Sequence, residues 1–244
     1  MPTYPRVYYP GHLESSSVFE LQSEEAHHLL HVLRVKKGDF VIVFTGEKEF
    51  LALAEKVFKD HLQLRVIETR SRPEKCHKIE LIQAIPKSQK MDWVVEKATE
   101  LGADVIYPVW TERVVKKAER NERWQKIALS AAKQCGRLSV PHISPVMSWR
   151  EFLQIDSKSS LSLIATLSDA PKRFLDEWLK DIGPVQTVRV AIGPEGDFTP
   201  SEVQAALNLG WKVTDLGDWV LRSETAALTS LSIINHELSK INRS

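Results

Sequence analysis

Glycine, proline and acid crowd into AIGPEGDFTP (191–200), and LGDWVLRSETA (216–226) gathers glycine, arginine, serine and glutamate. Val188, Val190 and Ile192 alternate with Arg189 and Ala191, which predicts a strand running into the first turn. Thr199 and Glu202 have capping-box spacing, Pro200 takes the first helical position, and Phe198 and Val203 are placed to staple the helix start. Between strand and helix, Gly193-Pro194-Glu195-Gly196 reads as a rigid turn needing unusual backbone angles. The second stretch repeats strand, glycine turn and helix, with Ser223 the expected N-cap and Glu224 in the first turn. Open α/β sheets bind ligands in the turns beyond the carboxyl ends of their strands. The two loops could therefore build one pocket from backbone N–H and C=O groups. The competing reading is a pair of ordinary strand-to-helix connections whose glycines serve only turn geometry. Neither G-x-G-x-x-G nor G-x-x-x-x-G-K-[ST] occurs, which weakens nicotinamide-cofactor and nucleotide-hydrolysis readings.

Other reactive residue types carry less. His27 and His31 have i,i+4 spacing, but position 28 is itself histidine, so the acid of an H-E-x-x-H site is missing. Packing or an RNA-facing role is expected there, and no metal. Cys135, in AAKQCGRL, has no histidine specifically paired with it by sequence and is expected to be a small buried residue. Residues 112–137 hold eight basic side chains (Arg113, Lys116, Lys117, Arg120, Arg123, Lys126, Lys133 and Arg137) against three acidic ones. Such a segment suits a phosphate-contacting face. It equally suits a solvated helix with pairs such as Glu119 and Arg123, and composition leaves the two even.

These residues need a scaffold, and the periodicities predict one. FVIVF (40–44), FLALAEKV (50–57) and HLQLRVIE (61–68) read as strands, preceded by a helix over Ser23–Arg34 with Ser23 as N-cap. The pattern changes after ETRSRPEK, which places a domain boundary near Pro73. Strands are then predicted at 79–85, 104–110, 161–167, 187–193 and 212–217, and helices at 90–102, 121–135, 171–180, 200–209 and 223–240. That alternation predicts a mainly parallel sheet covered by helices, an α/β fold. With 244 residues, 43% of them hydrophobic and 27% charged, the chain suits one large or two small globular domains. The start, MPTYPRVYYPGHL, lacks the apolar core of a signal peptide, no run is long enough to span a membrane, and a cytoplasmic, reduced protein is expected.

Five phrases, in order, carry a family resemblance: HHLLHVLRVKKGD (27–39), PKSQKMDWVVEKATELG (86–102), RWQKIALSAAKQCGR (123–137), IGPEGDF (192–198) and LGDWVLRSETA (216–226). Together they resemble the RsmE family of small-subunit ribosomal RNA uridine N3-methyltransferases. The resemblance implies a PUA-like RNA-binding β-barrel over 1–72 and a SPOUT methyltransferase domain with a deep trefoil knot over 73–244. It also implies S-adenosylmethionine as methyl donor, 16S rRNA of the small ribosomal subunit as partner, and a homodimer. Two positions depart from the family pattern: Asp197 stands where glycine is usual, and Val114 follows Arg113 where serine is common. Aspartate tolerates a positive φ better than most residues.

The same resemblance distributes roles. Leu167, Ile192, Gly193, Pro194, Glu195, Gly196, Leu216, Gly217, Val220, Leu221, Arg222, Thr225 and Ala226 are expected to bind the donor. Uracil N3 must lose its proton before it can attack, so a cation that meets the developing ring charge accelerates transfer. Arg222 is the candidate for that charge, and Glu195 or Glu224 for accepting the proton. Arg6, His27, Arg34, Lys87, Arg113 and Arg137 are the RNA-binding candidates. On the last helix, Ala227, Leu231, Ile234 and Leu238 form a stripe, widened by Ala226 and Ile233, expected at a dimer interface unless it packs on its own sheet. A SPOUT enzyme with another target, such as a ribose 2′-oxygen, and a non-catalytic RNA-binding assembly factor remain alternatives.

Overall fold

A computed structural model describes residues 4–70, 75, 77–87, 90–114, 120–155, 161–181 and 186–241. Pro73, Lys116, Lys117 and Glu119 lie outside the described residues. The chain forms two compact units, Met1–Glu74 with Ala132–Val140, and Lys75–Ala131 with Pro141–Ser244.

The first unit is built on five strands: β1 (Arg6–Tyr8), β2 (Val18–Leu21), β3 (Phe40–Phe44), β4 (Glu49–Val57) and β5 (Leu62–Arg70). Their order is β1-β3-β4-β5-β2, antiparallel except for the parallel β1·β3 pair. In β5, Leu62, Leu64 and Val66 point into the core while Arg65 faces out, as a period of two requires. Two register shifts in the β4·β5 pair, at Leu51/Ala52 and Ala54/Lys56, bend the sheet around that core. The predicted helix over Ser23–Arg34 is corrected in two ways. It starts as α1 (Ser23–His27) with Gln22, not Ser23, in the capping position, and it continues as a π-helical turn over His28–Val32. Ala26 and Leu29 anchor this element in the core, so burial holds what a cap does not. Arg34, at φ 55°, takes the left-handed position that ends it. Cys135 is also corrected: it is exposed, with its thiol 3.8 Å from the Ala132 carbonyl.

The second unit continues with β6 (His77–Ala84), α2 (Lys90–Glu100), β7 (Val105–Trp110), α3 (Asn121–Cys135), β8 (His142–Ile143), β9 (Met147–Ser148) and α4 (Trp149–Phe152). From Ala132 onward α3 belongs to the first unit. Next come β10 (Leu161–Ala165), β11 (Arg173–Phe174), α5 (Leu175–Leu179), β12 (Gln186–Ile192), α6 (Pro200–Asn208), β13 (Lys212–Asp215) and α7 (Ser223–Ile241). The sheet runs β11-β13-β10-β12-β6-β7-β8, with β9 also on β7, and every pairing is parallel. β6 and β12 are buried on both faces, and that burial takes in the polar Glu80, Gln83 and Arg189. Ile82, Ile164 and Ala191 face a cluster that includes Trp149, Phe152, Phe198, Val203 and Trp211. The opposite face is covered by α7, which also packs against α2 and α5. Ala227, Leu231, Ile234 and Leu238 are all buried there. The stripe expected at a dimer interface is thus consumed inside its own subunit.

Candidate active site

β13, β10 and β12 are neighbours in the sheet and point the same way, so their carboxyl ends bring three loops together: 166–172, 193–199 and 216–222. The α6 start follows the local chemistry of its sequence. Thr199 Oγ1 accepts from the Glu202 amide, Glu202 accepts from the Thr199 amide, and Phe198 and Val203 share one core cluster. The unusual backbone falls one residue later than predicted. Asp197 has φ 60°, whereas neither Gly193 nor Gly196 is left-handed. Gly193 is needed for close approach instead, since a Cβ there would lie 3.1 Å from Asp197 Oδ1 and 3.2 Å from Phe198. In the second loop Gly217 does require its freedom, at φ 118°.

The loops enclose a cavity of about 420 Å³, within the usual small-molecule range. Of the expected donor-binding residues, Leu167, Ile192, Gly193, Pro194, Glu195 and Leu216 line it, as do Gly217, Val220, Leu221, Arg222 and Ala226. Gly196 and Thr225 are not in the lining, and Glu224 lies beside it rather than in it. Sequence reasoning missed Thr166, Lys172, Asp197, Thr214 and Asp215, which add polar side chains to the lining. Asp215 accepts from the Gly217 amide at 3.1 Å and pairs with Lys172 at 3.2 Å. Burial pushes its carboxyl up, but the Gly217 amide and Lys172 outweigh that and hold it below the usual range. Its place at the end of a short polar-ended strand, KVTD, was the available signal.

Ser223 is a further correction. The first α7 hydrogen bond runs from the Ala226 amide to the Arg222 carbonyl, so Arg222 occupies the capping position. The buried Ser223 hydroxyl instead donates to the Gly193 carbonyl at 2.5 Å and accepts from Gln83 Nε2 at 2.9 Å. With its backbone fixed at the helix start, Arg222 extends an exposed side chain at the cavity.

Lys90, which the sequence reading passed over, sits between the two acid candidates. Its ammonium is 3.0 Å from Glu224 and 3.6 Å from Glu195, while Glu195 also accepts from the Lys87 amide at 3.1 Å. Burial raises the Glu224 carboxyl, yet its own backbone amide, Lys90 and Arg222 together hold it below the ordinary glutamate range. A carboxylate so stabilised is a weak proton acceptor. Glu195, which lines the cavity, is the better-placed one.

The RNA-binding candidates divide sharply. Arg6 is partly buried in an ion pair with Glu49, donates to the Arg137 carbonyl at 2.9 Å and lies over the Phe44 ring, so it braces its own unit. Arg137 is half-buried, with Nη2 3.3 Å from Ser139 Oγ. Arg113 turns toward the first loop, donating to the Gly196 carbonyl at 2.5 Å. Val114, after it, closes a turn through its amide to Thr111 O. His27, Arg34 and Lys87 are exposed, and His27 packs on His31 with ring centroids 4.5 Å apart. In the basic segment, Arg123 pairs with Asp92 at 2.8 Å and Lys133 with Glu25 at 2.8 Å, ion pairs to other elements rather than the i,i+4 pairs of a solvated helix.

Comparison with known proteins decides what this arrangement belongs to. A family described as an RNA methyltransferase domain matches residues 72–235, and one described as an RNA methyltransferase PUA domain matches residues 21–67. The chain is 30% identical to ribosomal RNA small subunit methyltransferase E of Bacillus subtilis over 236 residues, 92% of each chain. It belongs to the ribosomal RNA small subunit methyltransferase E family. The Synechocystis member is 31% identical over 221 residues, covering 88% of this chain and 72% of the relative. Among solved structures, methyltransferase E of Neisseria gonorrhoeae bound to S-adenosylmethionine superposes with a TM-score of 0.85 at 32% identity, covering 96% of this chain and 98% of that one. A Legionella pneumophila methyltransferase solved with the same cofactor has equal TM-score and identity. In this chain the fold is accordingly α/β, a curled PUA-like sheet followed by a methyltransferase domain. No helix among the described residues is long and apolar enough to cross a membrane, and no cluster of metal-ligating side chains occurs among them.

Proposed function

We propose that this chain transfers a methyl group from S-adenosylmethionine to N3 of a specific uridine in 16S rRNA of the small ribosomal subunit. The observation that carries the reading is the convergence of the GPEGD and LRSE loops on one cavity, with Arg222 and Glu195 both lining it. The cavity's chemistry suits the donor. Leu167, Ile192, Leu216 and Leu221 offer apolar walls for an adenine ring, loop amides and carbonyls offer hydrogen bonds, and Asp215 offers negative charge to a cationic ligand. When bound, the donor supplies an already activated methyl on its sulfonium, so the protein's task is alignment.

The Arg222 guanidinium meets the negative charge that spreads over the uracil oxygens as N3 loses its proton. Glu195 takes that proton, directly or through water, while Lys90 keeps Glu224 charged and ties the start of α7 to the first loop. The exposed cations His27 (when protonated), Arg34 and Lys87 are the RNA-facing set.

The homodimer, the trefoil knot and the cytoplasmic location rest on the family resemblance. An apolar rim supports the dimer: Leu167 is 61% exposed, Trp219 83% and Val220 75%, all lining the cavity. Mass spectrometry of 16S rRNA nucleosides from cells with and without the protein tests the reaction. Loss of N3-methyluridine upon deletion is expected, whereas loss of a 2′-O-methylated nucleoside would redirect the assignment. Sedimentation of Trp219→Ser tests the dimer, and a wild-type monomer with full activity refutes it.

A further inference from the structure

We propose that Asp197 is a positioning residue that fixes the donor pocket by stapling the loop after β10 to the loop after β12, a role that rests on the cavity being the donor site. Its carboxylate spends both oxygens. Oδ2 accepts from Thr166 Oγ1 and from the Leu167 amide, each at 2.8 Å, and Oδ1 accepts from the Phe198 amide at 2.7 Å. A residue serving only its own turn needs no more than the last of these, together with its backbone bond from the Asp197 amide to the Pro194 carbonyl. The other two reach 31 and 30 residues back along the chain, to the opposite wall of the cavity.

Farther along that loop Ala170 packs against the core cluster and Lys172 pairs with Asp215. Leu167 is 61% exposed and makes no core anchor. The next amide, that of Ser168, bonds to Thr166 Oγ1 at 3.2 Å, so the loop backbone is organised around a hydroxyl that Asp197 itself holds. The left-handed φ of 60° aims the carboxylate across the gap, and the neighbouring Gly193, where a Cβ would crowd Asp197 Oδ1, leaves room for it. Glycine could adopt the same backbone but could not make the staple. An ordered wall lowers the cost of immobilising the loop when ligand binds. The contribution therefore belongs to binding of donor and product alike, and not to the transfer step.

The test compares full-length wild type, Asp197→Gly and Asp197→Asn by calorimetry with S-adenosylmethionine and with S-adenosylhomocysteine, alongside steady-state methylation of small-subunit RNA. Glycine accepts a left-handed φ without strain, so a wild-type circular dichroism spectrum is expected. Asp197→Gly should weaken both ligands by about tenfold or more, to the same extent, while kcat at saturating donor stays within about threefold. Asp197→Asn keeps one acceptor oxygen and tolerance of the left-handed region, and should recover part of the loss. Unchanged affinity in Asp197→Gly overturns the staple, as does a fall confined to kcat. If wild type binds neither ligand, the donor-site reading falls and the staple's role in donor binding falls with it.

Discussion

The Ser223 hydroxyl donates to the Gly193 carbonyl across 2.5 Å, joining two loops whose sequences lie 30 residues apart. The same oxygen accepts from Gln83 Nε2, so a buried glutamine on the central strand β6 sets the distance between both walls of the cavity. Ser223→Ala should cost about 1–3 kcal/mol and weaken donor binding, because it leaves a buried amide donor and a buried carbonyl without this partner. Urea titration followed by circular dichroism, with calorimetry on the folded variant, checks both effects.

Arg222 precedes that serine, and in the proposed reaction its charge is needed only as the uracil anion forms. An interaction stronger in the transition state appears in turnover more than in binding. Arg222→Ala should bind donor and RNA nearly normally yet transfer methyl at least about a hundredfold more slowly. Arg222→Lys should remain impaired if the planar fork matters. Single-turnover kinetics at saturating RNA and donor decides it; an unchanged rate leaves Arg222 a structural or RNA-positioning residue.

The two glycines of the first loop should respond differently. A Cβ at Gly193 meets Asp197 and Phe198 at 3.1–3.2 Å, whereas one at Gly196 meets only Arg113 side-chain carbons at 3.4 and 3.6 Å. Gly193→Ala should weaken donor binding by about tenfold, and Gly196→Ala should be near neutral. Gly196→Val should act only through displacement of the Arg113 side chain. Equal affinities for the two alanine variants would contradict this ranking.

The buried Arg189–Glu80 pair spans β12 and β6 at 2.7 Å, in register across the sheet. Arg189→Met leaves the Glu80 carboxylate buried, with Lys78, 3.4 Å away, as its remaining ion-pair partner among the described residues. A loss of about 3 kcal/mol is expected, recovered in the Arg189→Met, Glu80→Leu double variant. Urea unfolding of both proteins measures the recovery, and its absence would mean the pair is needed for more than charge balance.

His77 gives the second unit an acid-sensitive strand. Burial, reinforced by Lys75 and partly opposed by Asp104, lowers its pKa to about 4. Above pH 6.5 the ring is neutral in both folded and unfolded chains. As pH falls from there toward 4, the unfolded chain takes a proton that the folded one refuses, so stability is lost across that window. Relative to His77→Asn, wild type should lose on the order of 1–2 kcal/mol between pH 6.5 and 5. A gap that does not change with pH in urea titrations would show that His77 titrates normally.

Local rules act over a few residues, and wherever they suffice the sequence was legible. The 121–135 helix has the bounds its periodicity predicts, and Thr199, Pro200 and Glu202 build the expected cap, because capping partners lie within one turn of each other. The order of the five family phrases carried the reaction class. Ser23 and Ser223 had equally good capping chemistry, yet neither caps a helix. The contest was settled by burial of Ala26 and Leu29 in one case and by the Gly193 carbonyl in the other.

Only the tertiary structure decided which loops share a cavity. The order β13-β10-β12 makes neighbours of strands that do not follow one another in the chain, so Asp197 meets Thr166, and Asp215 joins the same site. It also decided which charges are paired: Arg6, an RNA-binding candidate in sequence, and Arg123, in a segment whose role composition leaves even, pair with Glu49 and Asp92. The α7 stripe was visible as a stripe, but a period of 3.6 says that a face is apolar and not what covers it. Its own sheet and helices bury Leu231 and Ile234, because strand order brings β6 and β12 beneath them. Spacing along the chain sets what a segment can become. Pairing between distant strands sets which segments meet, and those pairings depend on burial energies summed over the whole sheet rather than on any one motif.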